Sequence, residues 1–228
     1  MLVKKETFFF LFASIFFFLA LNLAPDFFDG KVKYLLLCSL VIIFGLPHGA
    51  LDSLEAKHNK IITNKKEFII FNLLYIFSSA IIFFSWHYVS LFMLSSFLFI
   101  SVWHFGEDWK NKLKFIEGII LGLSIISFPV FFHEEKIIFL YSFLSSAENL
   151  KFLIFFQKNI CYLLFFLSSI IIIKYYRDFN LFLQIAIITS SAYLLDPIYY
   201  FISYFCFFHS IKNYEESINS IKMSKSNL

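Results

Sequence analysis

Three histidines are candidates for chemistry because each lies within, or at the end of, a strongly apolar stretch of the chain. They are His48 in the segment GLPHGALD, His104 in SVWHFGED and His209 in YFCFFHS. Ionisable side chains are costly in lipid, by about 2.5–3.5 kcal/mol for a charged group, so those found there are functional candidates. Neutral imidazole binds zinc, copper, iron and nickel. Three imidazoles at a similar depth predict a metal site, and the ligand type leaves the metal open.

Each of these histidines is followed four residues later by another polar residue, namely Asp52, Asp108 and Asn213. On a helix this spacing places both side chains on one face, about one turn apart. A metal-bound imidazole usually donates its second N–H group to a carboxylate or a carbonyl. We therefore predict that Asp52 and Asp108 orient imidazoles without binding the metal themselves.

Aromatic residues surround two of the three histidines in the sequence. We predict that they enclose a long apolar substrate that arrives from the bilayer; they are Trp103, Phe105, Tyr204, Phe205 and Phe208. A second interpretation stays open, because a histidine near a helix end is often satisfied at the membrane interface. That interfacial role is the one we predict for His58, His87 and His133.

The composition indicates the elements that must position these residues. Of the 228 residues, 60% are hydrophobic, 15% are charged and 36 are phenylalanines, whereas a typical soluble domain is about 45–50% apolar and about 25% charged. The apolar stretches do not alternate with polar residues as the strands of a membrane barrel do. The sequence therefore predicts an all-α, polytopic integral membrane helical bundle, with residues 1–228 as a single transmembrane domain. No basic patch interleaved with aromatic residues indicates a nucleic-acid partner.

We predict about eight transmembrane helices, or seven if the last two form one helix broken at Asp196-Pro197. The apolar segment Ile137–Ala147 is too short to cross a bilayer and is assigned to the membrane surface. The tail from about residue 213 is predicted to be a solvated or frayed helix. The eight spans are Thr7–Leu23, Tyr34–Leu54, Phe68–Trp86, Val89–Phe105, Phe115–Phe132, Phe152–Ile173, Leu181–Leu195 and Ile198–Phe208.

The distribution of lysine and arginine predicts the orientation of these spans. Most of the 19 basic residues fall in the loops on one side if the N-terminus is inside, and an excess of basic residues marks the cytoplasmic side. We therefore expect a multi-pass protein of the cell membrane with both termini in the cytoplasm and all three histidines near the inner ends of their helices. No small-residue cleavage site follows the first span, so it is predicted to be an anchor.

Four segments resemble, in order, the conserved blocks of the Brp/Blh family of membrane β-carotene 15,15′-dioxygenases. Gly45–Asp52 is similar to the block G-x-P-H-G-A-x-D, and Trp103–Gly106 resembles the H-F-G block. Tyr204–Ser210 resembles the block Y-F-x-x-x-H-S, and Phe128–Glu135 is similar to a segment between the second and third of these blocks. The resemblance implies oxidative cleavage of β-carotene, or a related carotenoid, at the central double bond with O₂ to give retinal.

The resemblance also implies a cofactor, a site and partners. The cofactor is non-haem iron, Fe²⁺, held by four histidines, and His48, His104 and His209 match three of them. The fourth family histidine corresponds to Asn213, whose carbonyl oxygen is a weaker ligand for iron. The implied partners are a carotenoid from the lipid bilayer, O₂ and a microbial rhodopsin that receives the retinal.

Two other hypotheses follow from the same residues. Because Asn213 replaces a ligand histidine, the chain could have kept carotenoid or retinal binding, and transfer to a rhodopsin, without cleavage. Alternatively, the three histidines make unrelated packing contacts. The three hypotheses differ in whether the histidines share one metal ion.

Overall fold

The computed structural model describes residues 3–28, 30–58 and 60–226, with side chains throughout except at positions 45–55, 58, 147, 149 and 219–226. All regular secondary structure in these ranges is helical, which confirms the predicted all-α fold class. The α-helices are α1 (Lys5–Leu23), α2 (Pro25–Phe28), α3 (Lys31–His58), α4 (Lys65–Tyr88), α5 (Ser90–Gly106), α6 (Phe115–Phe132), α7 (Glu134–Ser142), α8 (Ala147–Lys174), α9 (Phe179–Leu194), α10 (Pro197–Tyr204) and α11 (Ser210–Ser226).

Five helical stretches in the described part of the chain are long and apolar enough to cross a bilayer, which confirms a membrane helical bundle. A helix rises about 1.5 Å per residue, so about 20 residues are needed to cross a hydrocarbon core of roughly 30 Å. The shorter helix α9 is also apolar. The five stretches are Lys5–Leu23, Lys65–Tyr88, Ser90–Trp109, Phe115–Phe132 and Leu150–Lys174.

The last two predicted spans are separate helices. Helix α9 ends at Leu194, and the Asp196 side chain caps α10 by accepting a hydrogen bond from the Ile198 N–H group at 3.1 Å. Pro197 occupies the first turn of α10, where its missing N–H group costs nothing. The eighth span continues beyond its predicted end through a π-helical segment, Phe205–His209, into α11, so the predicted tail begins as a regular helix.

Polar contacts gather the helix ends into two groups. At one end, which we call the proximal end, the Lys4 N–H group donates to Asn180 and Lys112 pairs with Asp178. At the other, the distal end, Lys33 pairs with Asp196. Successive predicted spans connect the two ends, as an alternating topology requires. Which end faces the cytoplasm stays a prediction.

Glycine residues bring α5 and α6 into close contact at the proximal half of the bundle. A Cβ atom added to Gly122 would overlap the Val102 carbonyl oxygen, and one added to Gly118 would lie 2.7 Å from the Gly106 carbonyl oxygen. Small residues of this kind allow membrane helices to approach backbone to backbone. This packing fixes the end of α5, which carries His104.

Candidate metal centre

His104 lies in the last turn of α5, and His209 reaches it from the π-helical segment that follows α10. The two Nε2 atoms are 3.0 Å apart, and the rings meet edge to face with centroids 4.6 Å apart. His209 is fully buried. The structure therefore brings together two of the three histidines that the sequence singles out, although they are separated by 105 residues in the chain.

The 3.0 Å separation fits two ligands of one metal ion. A metal–imidazole bond is about 2.1 Å long, so two ligand nitrogens at a right angle on one ion lie about 3.0 Å apart. The same distance also suits a hydrogen bond between the rings. Within the described residues no three His, Cys, Asp or Glu side chains form a metal-binding group, and the side chain of His48 is not among them.

The π-helical segment explains how His209 reaches its partners. In an α-helix, Tyr204 and His209 would lie about 140° apart around the axis, because each residue turns by about 100°. The i→i+5 hydrogen bonding of a π-helix places residues five apart on nearly the same side. Both side chains accordingly reach one carboxylate, that of Asp108.

Asp108 is a buried carboxylate that holds His209 in one orientation. The His209 Nδ1 atom lies 3.0 Å and 3.1 Å from its two oxygens, and the Tyr204 hydroxyl donates to it at 2.5 Å. A carboxylate on Nδ1 favours the tautomer in which Nε2 is unprotonated. The predicted orienting role of Asp108 thus has a geometric basis, with His209 as its partner.

The prediction had paired Asp108 with His104, four residues earlier in the sequence. Helix α5 ends at Gly106, and Glu107–Trp109 form a 3₁₀ turn, so the helical spacing does not extend to Asp108. The 3₁₀ turn points the carboxylate at α10 and the π-helical segment instead. The correct partner comes from a different helix, which a spacing rule within one helix cannot reveal.

Asn213 lies one turn after His209 and presents its amide nitrogen to it. The Asn213 Nδ2 atom donates to the His209 carbonyl oxygen at 3.1 Å and lies 3.2 Å and 3.3 Å from the two ring nitrogens. An amide nitrogen has no lone pair for a metal. In this conformation the Asn213 amide nitrogen therefore supports the His209 backbone.

His48 and Asp52 lie in α3, but their side chains are outside the described set. Helix α3 runs beside α10 and the π-helical segment: Lys33 contacts Asp196 and Phe44 contacts Phe207. Both contacts follow the same order along the two segments, so α3 runs parallel to α10 and the π-helical segment. Helix α3 also packs against α11, which begins directly after His209.

The five aromatic residues predicted to line a substrate tunnel have different environments. Phe105, Tyr204 and Phe208 are buried in side-chain packing, and Phe105 and Phe205 both contact the His209 ring. Trp103 is 49% exposed and donates to Glu107. Most of this set therefore shields the imidazole, and whether any member contacts a substrate stays a prediction.

The remaining described histidines lie away from this pair. His133 is at the distal end, where its Nε2 atom lies 3.1 Å from the Tyr193 carbonyl oxygen, and His87 packs its ring against Tyr88. The side chain of His58 is outside the described set. The interfacial role predicted for His58, His87 and His133 remains a prediction.

Sequence reasoning missed a buried series of hydrogen bonds that begins at Trp109, the residue after Asp108. The indole N–H group of Trp109 donates to Gln184 at 2.8 Å, and the Gln184 amide donates to Thr7 at 2.7 Å. All three side chains are buried. This series ties the 3₁₀ turn to α9 and α1, and a polar residue in an apolar helix, Gln184, was the signal that could have revealed it.

The sequence matches that of one described protein family over most of its length. A family model described as β-carotene 15,15′-dioxygenase matches residues 39–227. The chain belongs to this family. A relative named β-carotene 15,15′-dioxygenase, from uncultured marine bacterium 66A03, is 27% identical over 190 residues. That match covers 77% of this chain and 66% of the relative, so the chain spans just under two thirds of the relative's length. No solved structure matches the chain.

Proposed function

We propose that this protein is an intramembrane dioxygenase that cleaves β-carotene, or a related carotenoid, at its central double bond with O₂ to give retinal. The observation that carries the proposal is the pair of Nε2 atoms, 3.0 Å apart, of His104 and the fully buried His209. Family membership supports the reaction class. The substrate would come from the bilayer, and a microbial rhodopsin is the recipient that we propose for the retinal.

The residues that would hold the cofactor are His104, His209 and, from α3, His48. Imidazole nitrogen is a suitable donor for Fe²⁺, and the spacing of the first two rings fits one ion. When bound, Fe²⁺ would supply the activation of O₂, and both oxygen atoms would end in the two aldehydes formed from the cleaved double bond. We place the site near the cytoplasmic face of the cell membrane, with both termini inside.

The surrounding side chains have separate tasks in this proposal. Asp108 keeps the proton of His209 on Nδ1. The Nε2 atom is then unprotonated and can bind a metal ion through its lone pair. Tyr204 donates to the same carboxylate and fixes its direction. Phe105 and Phe205 contact the His209 ring and exclude water from it. A dry, preorganised site of this kind is what the protein contributes to the chemistry of a metal cofactor.

Expression of the full chain in a β-carotene-accumulating bacterial host tests the proposal. We expect loss of carotenoid colour and formation of retinal, measured by chromatography. His104→Ala and His209→Ala should abolish retinal formation, whereas His87→Ala, at the distal end, should leave it unchanged. Absence of retinal with the wild-type chain correctly inserted in the membrane would contradict the proposal.

One observation favours a second candidate function, in which the protein binds a carotenoid or retinal and transfers it without cleavage. Asn213 stands at the sequence position where the resemblance implies a fourth ligand, and its amide nitrogen donates to the His209 carbonyl oxygen. This candidate predicts that the wild-type chain carries pigment but forms no retinal. It also predicts that Asn213→His creates cleavage activity, whereas the first proposal predicts cleavage by the wild-type chain.

A further inference from the structure

A row of three aromatic rings leads along α10 and the π-helical segment to the histidine pair. The rings of Phe201 and Phe205 are nearly parallel, with centroids 5.2 Å apart and planes at 9°. The ring of His209 follows that of Phe205, with centroids 5.7 Å apart and planes at 22°. The aromatic row therefore runs without interruption from Phe201, in the middle of α10, to the buried His209.

Phe201 is the residue at which the aromatic row meets the lipid. Tyr199 packs against Phe17 of α1, and the Tyr200 hydroxyl donates to the Ile125 carbonyl oxygen of α6. Because each residue turns an α-helix by about 100°, Phe201 lies on the far side of Tyr200 and points away from α1. Phe201 is 39% exposed, whereas every other residue of α10 is buried. An apolar molecule dissolved in the bilayer can therefore reach α10 at this side chain.

An apolar face of α5 leads to the other histidine of the pair. Phe97 and His104 are seven residues apart, so they lie within about 20° of each other around the helix axis. Phe97 is 54% exposed and His104 is half-buried, whereas His209 is fully buried. The pair is therefore accessible through His104, on the face of α5 that also carries Phe97.

The aromatic row lies between two polar layers. On the proximal side, Asp108 and Asn213 contact His209. On the distal side, the ion pair of Lys33 and Asp196 lies just before α10. Apart from the imidazole, the row itself has no polar side-chain atom. A molecule with polar groups along its length would leave them unpaired here, so the row fits an elongated apolar molecule.

We propose that one half of the carotenoid lies along the row of Phe201 and Phe205 and reaches the histidine pair sideways from the bilayer. This inference rests on the proposed function and adds the route of the substrate and the residues that hold it. The central double bond lies at the histidine pair. The chain extends from there in the distal direction, because the proximal direction leads to Asp108 and Asn213. Flat conjugated groups pack favourably on aromatic rings, and Phe201 supplies the ring farthest from the pair.

The test measures β-carotene binding by the full-length protein in phospholipid nanodiscs without oxygen, so that no cleavage occurs. β-Carotene is achiral, and it gains a visible circular dichroism band only when a chiral site holds it. Phe201→Leu keeps an apolar side chain and removes the ring. It should weaken binding by about three- to tenfold, the range of one aromatic contact. Phe99→Leu is the matched control and should leave binding unchanged, because Phe99 is 70% exposed but lies about 140° from His104 around α5.

Retinal formation in the presence of oxygen distinguishes this inference from the proposed function. Phe201→Leu should raise the KM for β-carotene by the same factor and leave kcat unchanged, because Phe205 separates Phe201 from the pair. If the wild type binds β-carotene through Phe201 but forms no retinal, the cleavage proposal fails and this inference stands. Equal binding by Phe201→Leu and Phe99→Leu, or no dichroism band with the wild type, would overturn the inference even where retinal is formed.

Discussion

Two helices of this protein are similar in apolar character and opposite in environment. Helix α4, which the structure describes throughout, has no buried residue and exposes Ile76, Phe77 and Phe83 by more than 60%. In α10 every residue is buried except Phe201. Helix α10 and its π-helical continuation also supply two of the polar groups at the candidate metal centre, Tyr204 and His209.

The comparison shows that apolarity does not indicate burial when the solvent is lipid. Lipid chains are as apolar as phenylalanine, so a predominantly apolar helix such as α4 gains little from packing against the bundle. The Asn72 and Ser79 side chains of α4 hydrogen-bond to carbonyl oxygens of their own helix. Polar groups without such a partner in their own helix need partners from other helices. Polar residues that pair between helices, and glycines at helix contacts, therefore mark the interior of this bundle, and substitutions at four places test that conclusion.

The largest effect is expected at the contact of α5 and α6. Gly122→Ala places a Cβ atom against the Val102 carbonyl oxygen, a backbone atom that cannot move independently. We expect the free energy of unfolding to fall by more than about 4 kcal/mol, the range of severe steric defects. This fall would be seen as loss of monodisperse protein in detergent. Phe83→Ala, on the exposed face of α4, is the matched control and should change stability by less than about 0.5 kcal/mol. Equal behaviour of the two variants would contradict the close packing.

A somewhat smaller effect is expected when the buried Asp108 loses its imidazole partner. His209→Phe keeps a ring of similar shape but leaves the carboxylate without the 3.0 Å contact. Removing one member of a buried pair costs about 3–5 kcal/mol, measurable as a lower midpoint of thermal unfolding. The double variant with Asp108→Asn should recover a large part of that loss. If the second substitution brings no recovery, the pair is not coupled as described.

The hydroxyl groups of two tyrosines on α10 should differ in their contribution. Tyr204 donates to the Asp108 carboxylate at 2.5 Å, whereas Tyr200 donates to the neutral Ile125 carbonyl at 3.1 Å. Tyr204→Phe should lower the free energy of unfolding by about 1.5–3 kcal/mol and Tyr200→Phe by about 0.5–1.5 kcal/mol, because hydrogen bonds to charged groups are stronger. Thermal unfolding of both variants measures the difference. The reverse order would argue against an ionised Asp108.

The smallest effect is expected at the proximal surface, at Asp178. Burial raises the pKa of this carboxyl, but the hydrogen bond and charge of Lys112 outweigh it and hold the pKa below its usual value. Because the pKa of Asp178 is lower in the folded protein, its carboxylate stabilises the fold at pH values above the unfolded pKa of about 3.9. This stability is lost as the pH falls through the folded pKa. Asp178→Asn keeps the cap of α9 and removes the charge. The variant should be less stable than wild type at pH 7 by under about 1 kcal/mol. The difference should begin to shrink below about pH 4 and vanish once the pH is below the folded pKa. A difference that does not change with pH would exclude the ion pair as its cause.

The sequence predicted the fold class and a helix at each of the eight spans, because long apolar stretches have few alternatives in a membrane. It also predicted that His104 and His209 share one site. It could not predict the partner of Asp108, because the 3₁₀ turn after Gly106 and the π-helical segment before Ser210 both depart from α-helical spacing. The role of Gln184 was missed for a related reason: its partners, Trp109 and Thr7, come from distant parts of the chain.

In the function that we propose, His104 and His209, together with His48, hold one metal ion. The iron content of the protein, purified without oxygen and analysed by mass spectrometry, tests this site. We expect about one iron per chain in the wild type, loss of iron in His48→Ala, His104→Ala and His209→Ala, and full iron content in His87→Ala. Iron near zero in the wild type, or iron that is unaffected by the three histidine substitutions, would contradict it.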